Sequence, residues 1–202
     1  GALTEISVAE KLAEFRGRDS LYRGPSFATI SAFGANGAVV HYRAKPEGAA
    51  KIKEGGLLLI DSGGQYEDGT TDVTRTVAIG KPSGDMRKHF TLVLKGHIAV
   101  ADAEFPEGTT GVQIDALARR PLWQFDLDYA HGTGHGVGCF LSVHEGPVGL
   151  TPKCMEKLLP GMVLSNEPGF YLEGSYGIRI ENLVLVERTG RLNHLGDEML
   201  RF

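Results

Sequence analysis

The sequence predicts one α+β domain that spans residues 1–202. Helical spacing of apolar residues occurs in three separate segments, and runs rich in valine, isoleucine and leucine lie between and after them. No low-complexity segment or linker divides the chain. With 202 residues, 42% of them hydrophobic and 23% charged, the chain is long enough to bury a substantial core.

The first half begins with a predicted amphipathic helix in LTEISVAEKLAEFRGR, for which Thr4 is a suitable N-cap. The segment SFATISAFGANGAVVHYR predicts two strands joined by a hairpin turn at Asn36-Gly37, a dipeptide that favours such turns. LLLIDSGG and TDVTRTVAI predict two further strands.

The second half contains two predicted helices and two predicted strand segments. The spacing of Phe90, Leu94 and His97 indicates a long helix that ends before Pro106. A shorter helix in VQIDALARR is expected to end at Pro121. GMVLSNEPGFY and YGIRIENLVLVER then predict strands.

Charge and cysteine content exclude several classes of protein. The formal net charge of −4 argues against a nucleic-acid or anionic-membrane partner, because those partners need a basic face. No apolar run approaches the roughly 20 residues that span a bilayer. Cys139 and Cys154 form no CxxC motif, so we expect no disulfide framework and a cytoplasmic location.

Two carboxylates lie in segments that otherwise have the composition of buried strands. Asp61 ends the apolar run LLLI, and Asp72 lies inside the strand-like run TDVTRTVAI. A buried carboxylate must be neutralised, paired or bound to a metal, because its desolvation is costly. MVLSNEPG and IRIENLVLV repeat this plan with Glu167 and Glu181, so two halves packed face to face would bring four carboxylates together.

The stretch HGTGHGVGCFLSVHEGP adds three imidazoles, at His131, His135 and His144. Four carboxylates with at least one imidazole form a ligand set for Mn²⁺, Co²⁺, Fe²⁺ or Zn²⁺. Five side chains exceed what one tetrahedral zinc ion requires and suit two ions about 3.5–4 Å apart. The residues therefore predict two divalent metal ions, with Mn²⁺ favoured.

Each of these acids also has an ordinary structural interpretation. Asp61 suits a strand-end turn, Asp72 could pair with Arg75, and Glu181 could pair with Arg179. Residues outside the set are expected to be structural: His97 as a core or boundary histidine, Cys139 as a packing residue and Arg119-Arg120 as a solvated helix end.

Three stretches, IDSGGQYEDGTTDVTRT, HGTGHGVGCFLSVHEGP and LSNEPGFYLEGSYGIRIENLVLV, resemble the catalytic domain of the Xaa-Pro aminopeptidase (aminopeptidase P) family. That family belongs to the pita-bread metallopeptidases, with methionine aminopeptidase and prolidase. The resemblance covers essentially the whole chain. It implies a duplicated α+β domain with a curved antiparallel sheet, truncated here at both ends and without the family's N-terminal domains.

The resemblance also implies a role for each acid. Asp61 is expected to bind one metal ion, and His135 and Glu167 the other. Asp72 and Glu181 would bridge both ions. Glu167 would in addition be the general base for the bridging water, so that hydrolysis proceeds through a metal-bridging hydroxide.

Further side chains match positions around the metal site of the family. The resemblance implies that His41, His131 and His144 face the substrate and stabilise the tetrahedral intermediate. It also implies that Arg179 and Tyr171 orient the metal-binding carboxylates.

The resemblance therefore predicts an aminopeptidase that acts on peptides with proline at the second position, and a homodimer in the full-length protein. Two alternatives stay open. A prolidase would cut only Xaa-Pro dipeptides, and a metal-free pita-bread domain would bind peptides without hydrolysing them.

Overall fold

The computed structural model describes residues 3–140 and 143–202. Its α-helices are α1 (Glu5–Arg16), α2 (Gly84–Ala101) and α3 (Gly111–Trp123). Its strands are β1 (Tyr22–Pro25), β2 (Ile30–Phe33), β3 (Gly56–Ser62), β4 (Gly64–Tyr66), β5 (Gly69–Thr70), β6 (Val73–Ile79), β7 (Glu104–Pro106), β8 (Gly134–His135), β9 (Gly149–Leu150), β10 (Val163–Asn166), β11 (Gly169–Leu172), β12 (Tyr176–Arg179), β13 (Asn182–Leu185), β14 (Glu187–Leu192) and β15 (Glu198–Arg201).

The strand pairs are antiparallel, and two of them carry the repeat that the sequence predicted. In the first half β3 pairs with β2 and β6, and in the second half β10 pairs with β13. A bridge between Thr74 of β6 and Glu181, just before β13, joins the two pairs. The strand ends that carry the acids therefore meet where the halves join.

The helix starts repeat as well. Thr4 precedes α1 and Thr110 precedes α3, and each backbone N–H donates to the side chain three residues on, at 2.9 Å to Ser7 and 2.8 Å to Gln113. These are capping-box contacts, which stabilise the first turn of a helix. Thr4 also forms an antiparallel bridge to Lys51, which precedes β3, and Thr110 forms one to Lys157, which precedes β10. Both halves thus begin with the same local structure.

The predicted hairpin at Asn36-Gly37 is wrong. The residues Gly34–Ala38 form a short 3-10 helix, and β2 pairs with β3 instead of with the segment that follows. A Cβ atom at Gly37 would lie 2.9 Å from the backbone nitrogen of Gly177, so the glycine serves a close backbone approach. Tertiary packing has overridden the turn signal.

Several element boundaries also differ from the predictions. Pro121 lies inside α3, whose last turn continues to Trp123, and α2 ends at Ala101, well before Pro106, which lies in β7. Each second-half strand segment breaks in two, at Glu167-Pro168 and at Ile180-Glu181. Within the described ranges, no helix has both the length and the apolarity needed to cross a membrane.

The core lies where α2 and α3 pack on each other and on the second-half strands. A Cβ atom at Gly96 of α2 would lie 2.2 Å from the carbonyl oxygen of Ala118 in α3, so glycine allows the two helices to approach closely. The largest buried cluster contains Val100, Ala103, Phe105, Ile114, Ala118, Leu150, Leu158, Leu164, Val186 and Leu200.

Helix α1 is held by a polar side chain and not by the predicted apolar face. Phe15 is 50% exposed, whereas Glu5 is fully buried. The Glu5 carboxylate accepts hydrogen bonds from the Phe33 and Ala50 backbone N–H groups, at 2.7 and 2.8 Å, and from the Tyr42 hydroxyl at 3.0 Å. Glu5 thereby anchors the segment that carries His41.

Candidate metal centre

The five predicted metal ligands line one cavity of about 270 Å³. Its walls also include Arg179 and the three histidines that were predicted to face the substrate. The predicted residues that line the cavity are Asp61, Asp72, His135, Glu167, Glu181, His41, His131, His144 and Arg179.

The first-half acids reach the cavity from the paired ends of β3 and β6. Asp61 lies opposite Thr74 in the ladder, and Asp72 directly precedes β6. The Thr74 hydroxyl donates to Glu181 Oε2 at 2.6 Å, which ties a second-half glutamate to this edge. Asp72 is therefore outside the strand that the sequence predicted for it, although it is buried there.

The second-half glutamates occupy the two strand breaks. Glu167 follows β10 and Glu181 precedes β13, so both side chains lie where the β10–β13 ladder ends. The backbone N–H of Glu167 donates to the Thr133 carbonyl at 2.7 Å, and its Oε1 accepts from Ser165 Oγ at 2.9 Å. The breaks thus release the side chains from the sheet and orient them into the cavity.

His135 brings an imidazole to the same point. Its Nε2 lies 3.4 Å from Asp72 Oδ2 and 3.3 Å from Glu167 Oε1. One ligand atom each from Asp72, His135 and Glu181 lies within 4.8 Å of the other two. This spacing is close enough for all three side chains to reach one cation.

The electrostatics of the cavity favour bound cations. Burial raises the pKa of Glu167 to about 7, although His135 and Arg179 oppose this change, and burial together with the neighbouring carboxylates raises that of Glu181 to about 10. Burial also raises the pKa of Asp61, although Arg179 opposes this change. Burial alone would lower the pKa of His135, but Asp72 and Glu167 raise it above its ordinary value. A positive charge among these groups would relieve their mutual repulsion.

One carboxylate oxygen has no other partner. Asp61 Oδ2 accepts from Arg179 at 2.7 Å, but Asp61 Oδ1 is buried and has no hydrogen-bond partner within the described part of the chain. A buried acceptor without a partner is costly. The four carboxylates, one of which has this free oxygen, and the His135 imidazole therefore fit a hard or borderline divalent cation.

The remaining histidines occupy different places in the cavity wall. His41 and His144 are exposed at its mouth, and the His144 ring lies 4.4 Å from the His135 ring between centroids. His131 is more enclosed, and burial lowers its pKa to about 4, so its imidazole is neutral. Its Nδ1 lies 2.7 Å from the Gly132 carbonyl, which can only accept, so Nδ1 carries the proton.

Tyr171 and Arg179 connect His131 to the acids. Arg179 donates to the Tyr171 hydroxyl at 2.8 Å, and that hydroxyl lies 2.7 Å from His131 Nε2. Because Nε2 is unprotonated, the hydroxyl donates to it. Arg179 pairs with Asp61 and lies 4.0 Å from Glu167, so the suggested structural pairing of Arg179 with Glu181 is wrong.

Other structural alternatives also fail. Arg75 does not pair with Asp72 but donates to the Glu181 carbonyl at 2.7 Å and to Asn182 Oδ1 at 2.8 Å. Cys139 is exposed and is not the packing residue that we expected. The cavity wall also includes residues that no sequence motif indicated: Phe27, Ile30, Val40, Arg43 and Thr151.

A buried ion pair in α3 supports the histidine loop, and sequence reasoning missed it. Arg119 is buried, contrary to the expected solvated helix end, and pairs with Asp115 at 2.7 Å. It donates to the carbonyls of Tyr129 and His131, each at 2.7 Å, while Asp115 accepts from the Thr133 hydroxyl at 2.6 Å. The spacing of an aspartate and an arginine four residues apart was the available signal.

Substitution of this arginine tests the structural role of the ion pair. In Arg119→Met, the buried Asp115 carboxylate loses its countercharge and two carbonyls lose their donor, so we expect the free energy of unfolding to fall by about 3–5 kcal/mol. The neighbouring Arg120 is exposed, so Arg120→Met should change the free energy of unfolding by less than about 0.5 kcal/mol. Urea denaturation measures both. Equal effects in the two variants would contradict this assignment.

Curated relatives resemble this chain along nearly its whole length. It is 53% identical over 199 residues to a probable Xaa-Pro aminopeptidase P of Laccaria bicolor, and this alignment covers 97% of the chain and 31% of that protein. It is 50% identical over 208 residues to aminopeptidase P2 of Arabidopsis thaliana, covering 99% of the chain and 29% of that protein. The chain thus spans about a third of the length of these relatives.

Solved structures agree with the predicted fold. An X-prolyl aminopeptidase from Caenorhabditis elegans, described as a cytosolic enzyme with a di-nuclear active site, matches with a TM-score of 0.92 and 44% identity over 99% of this chain and 33% of that chain. A prolidase from Thermococcus sibiricus matches with a TM-score of 0.82 and 32% identity over 91% of this chain and 48% of that chain. These matches confirm the α+β class and the pita-bread arrangement.

A family model described as metallopeptidase family M24 matches residues 2–188. Together with the relatives, this match confirms the resemblance found in the sequence: the chain belongs to metallopeptidase family M24.

Proposed function

We propose that this chain is the catalytic domain of a dinuclear metal-dependent aminopeptidase that hydrolyses the peptide bond between an N-terminal residue and proline. The observation that carries the proposal is the convergence of five ligand side chains on one cavity. The names of the Laccaria bicolor and Caenorhabditis elegans proteins support the substrate class.

Asp61, Asp72, His135, Glu167 and Glu181 would hold the two cations, with Asp72 and Glu181 shared between them. Mn²⁺ suits this carboxylate-rich set best, and Co²⁺, Zn²⁺ or Fe²⁺ are alternatives. When bound, such a pair lowers the pKa of a shared water to give hydroxide near neutral pH and polarises the scissile carbonyl.

The protein side chains supply proton transfer and orientation. The Glu167 carboxylate would accept a proton from the attacking water and return it to the leaving nitrogen. Its place is fixed by Ser165 and by the Thr133 carbonyl. Arg179 holds Asp61 and Tyr171, which keeps the carboxylates in place before substrate binds.

The histidines would form the substrate side of the cavity. His41 and His144 lie at the exposed mouth, where their ring nitrogens can contact the peptide and its developing oxyanion. Both ring nitrogens of His131 already have partners in the cavity wall, so neither is available to the peptide. Apolar contacts from Phe27, Ile30 and Val40 are suited to a proline ring.

We further propose that the natural protein acts in the cytosol, in line with the description of the Caenorhabditis elegans enzyme. A homodimer of the whole protein, with peptides but neither nucleic acid nor membrane as partners, completes the proposal.

A comparison of two substrates tests the aminopeptidase assignment against prolidase, the alternative that the likeness to the Thermococcus sibiricus structure favours. The natural protein with Mn²⁺ should release the first residue of a Xaa-Pro-Yaa tripeptide faster than it cuts a Xaa-Pro dipeptide, because a prolidase site is limited to dipeptides. Product formation followed by chromatography gives both rates. Exclusive cleavage of the dipeptide would identify a prolidase.

A pair of alanine variants separates metal binding from substrate contact and tests the metal-free alternative. Glu181→Ala should lose both cations and all activity, since this carboxylate is assigned to both. His144→Ala should keep both cations while kcat falls about 10²–10⁴-fold, the range for a lost proton-transfer or polar catalytic group. Elemental analysis after dialysis against Mn²⁺ gives the stoichiometry. Metal loss in His144→Ala, or less than one ion in the wild type, would contradict these roles.

A further inference from the structure

His97, a buried residue of α2, contacts the paired ends of β10 and β13, next to the second-half glutamates. Asn166 and Asn182 are the last paired residues of the β10–β13 ladder. Glu167 directly follows Asn166 in the chain, and Glu181 directly precedes Asn182, so both glutamates lie just beyond the end of the ladder. The His97 ring contacts both asparagines, with Nδ1 at 3.1 Å from the Asn166 carbonyl and Nε2 at 3.2 Å from Asn182 Nδ2.

The neighbouring charges fix the direction of these hydrogen bonds. Arg75 can only donate, so the Asn182 oxygen, 2.8 Å away, faces it and the amide nitrogen faces His97. His97 Nε2 must therefore accept, which leaves the proton on Nδ1 to be donated to the Asn166 carbonyl. Burial lowers the pKa of His97, and the charge of Arg75 acts in the same direction, whereas the Asn166 and Ile180 carbonyls oppose the change; the net lowering is consistent with a neutral ring.

A third contact closes this arrangement. The fully buried Asn166 side chain donates through Nδ2 to the backbone carbonyl of His97 at 2.9 Å. The helix and the end of β10 are thus joined in both directions, and the same ring reaches across to β13. We call this set of contacts the His97 clamp.

The clamp matters because the ladder ends at this pair. Beyond it, the backbone N–H of Glu167 donates to Thr133 at 2.7 Å, whereas that of Glu181 donates to Thr74 at 3.2 Å. The two glutamates are then held by different segments of the chain. Their relative position depends on the last shared pair.

We propose that His97 is a positioning residue that sets the relative position of Glu167 and Glu181 by clamping the end of the β10–β13 ladder. It touches neither cation nor substrate and acts through the two asparagines. The inference rests on the proposed metal role of the two glutamates.

Calorimetric titration of the metal-free natural protein with Mn²⁺ tests the proposal without an activity assay. His97→Leu keeps the volume of the ring but removes both ring hydrogen bonds, and should weaken Mn²⁺ binding about 10–100-fold. His97→Gln retains one donor and one acceptor, and should recover part of the affinity. Thermal unfolding recorded alongside reports stability separately.

His89 provides the matched control on the same helix. Its Nδ1 lies 2.8 Å from the Tyr176 hydroxyl, and its ring packs 4.1 Å from that of Phe170 between centroids, away from the two asparagines. His89→Leu should lower stability but leave the Mn²⁺ affinity within about twofold. Should His97→Leu not fold, Asn182→Ala takes its place, because this change at an exposed position removes the outer bond of the clamp, together with one bond from Arg75, and leaves the contacts between His97 and Asn166 intact.

The outcomes distinguish the inference from the function it rests on. Weaker Mn²⁺ binding in His97→Leu, or in Asn182→Ala, than in His89→Leu supports the clamp. Wild-type affinity in those variants would overturn it, even if the melting temperature falls. A wild-type protein that binds no Mn²⁺ would refute the proposed metal centre itself.

Discussion

Four acidic side chains crowd one cavity, and the strands and arginines around it are arranged to hold them there. Four carboxylates share the space, where His135 contacts Asp72 and Glu167 and Arg179 pairs with Asp61. Burial raises the pKa of Glu167 to about 7 and that of Glu181 to about 10, because a buried site disfavours their negative charge. The desolvation free energy of these carboxylates is offset if positive charge enters the cavity, and divalent cations supply that charge in the smallest volume.

The duplicated fold explains how acids far apart in the sequence meet. Each half contributes an antiparallel strand pair, and the halves join where the Thr74 hydroxyl binds Glu181. Strand breaks then release the glutamate side chains from the sheet. Around them, Arg119 donates to the His131 carbonyl and Arg179 to the Tyr171 hydroxyl, which orients the histidine and the tyrosine of the wall.

The sequence predicted that the four acids meet and that three helices form, because acids within apolar runs and helical spacing are local signals. It failed where distant contacts decide. Asn36-Gly37 has the composition of a hairpin turn, but Asn36 donates to Glu5 and Gly37 packs on Gly177. Arg119 looked like a solvated helix end because the carbonyls it binds lie on a loop that only the folded chain brings near. The spacing of Asp115 and Arg119 indicates that they can pair, but it does not indicate that the pair is buried.

Anomalous X-ray diffraction from crystals of the natural protein grown with Mn²⁺ would locate the bound ions. We expect two anomalous peaks in the cavity, with Asp72 and Glu181 contacting both ions. Asp61 would contact one ion, and His135 and Glu167 the other. Full occupancy of Mn²⁺ at any other place, with these five side chains free of metal, would contradict it.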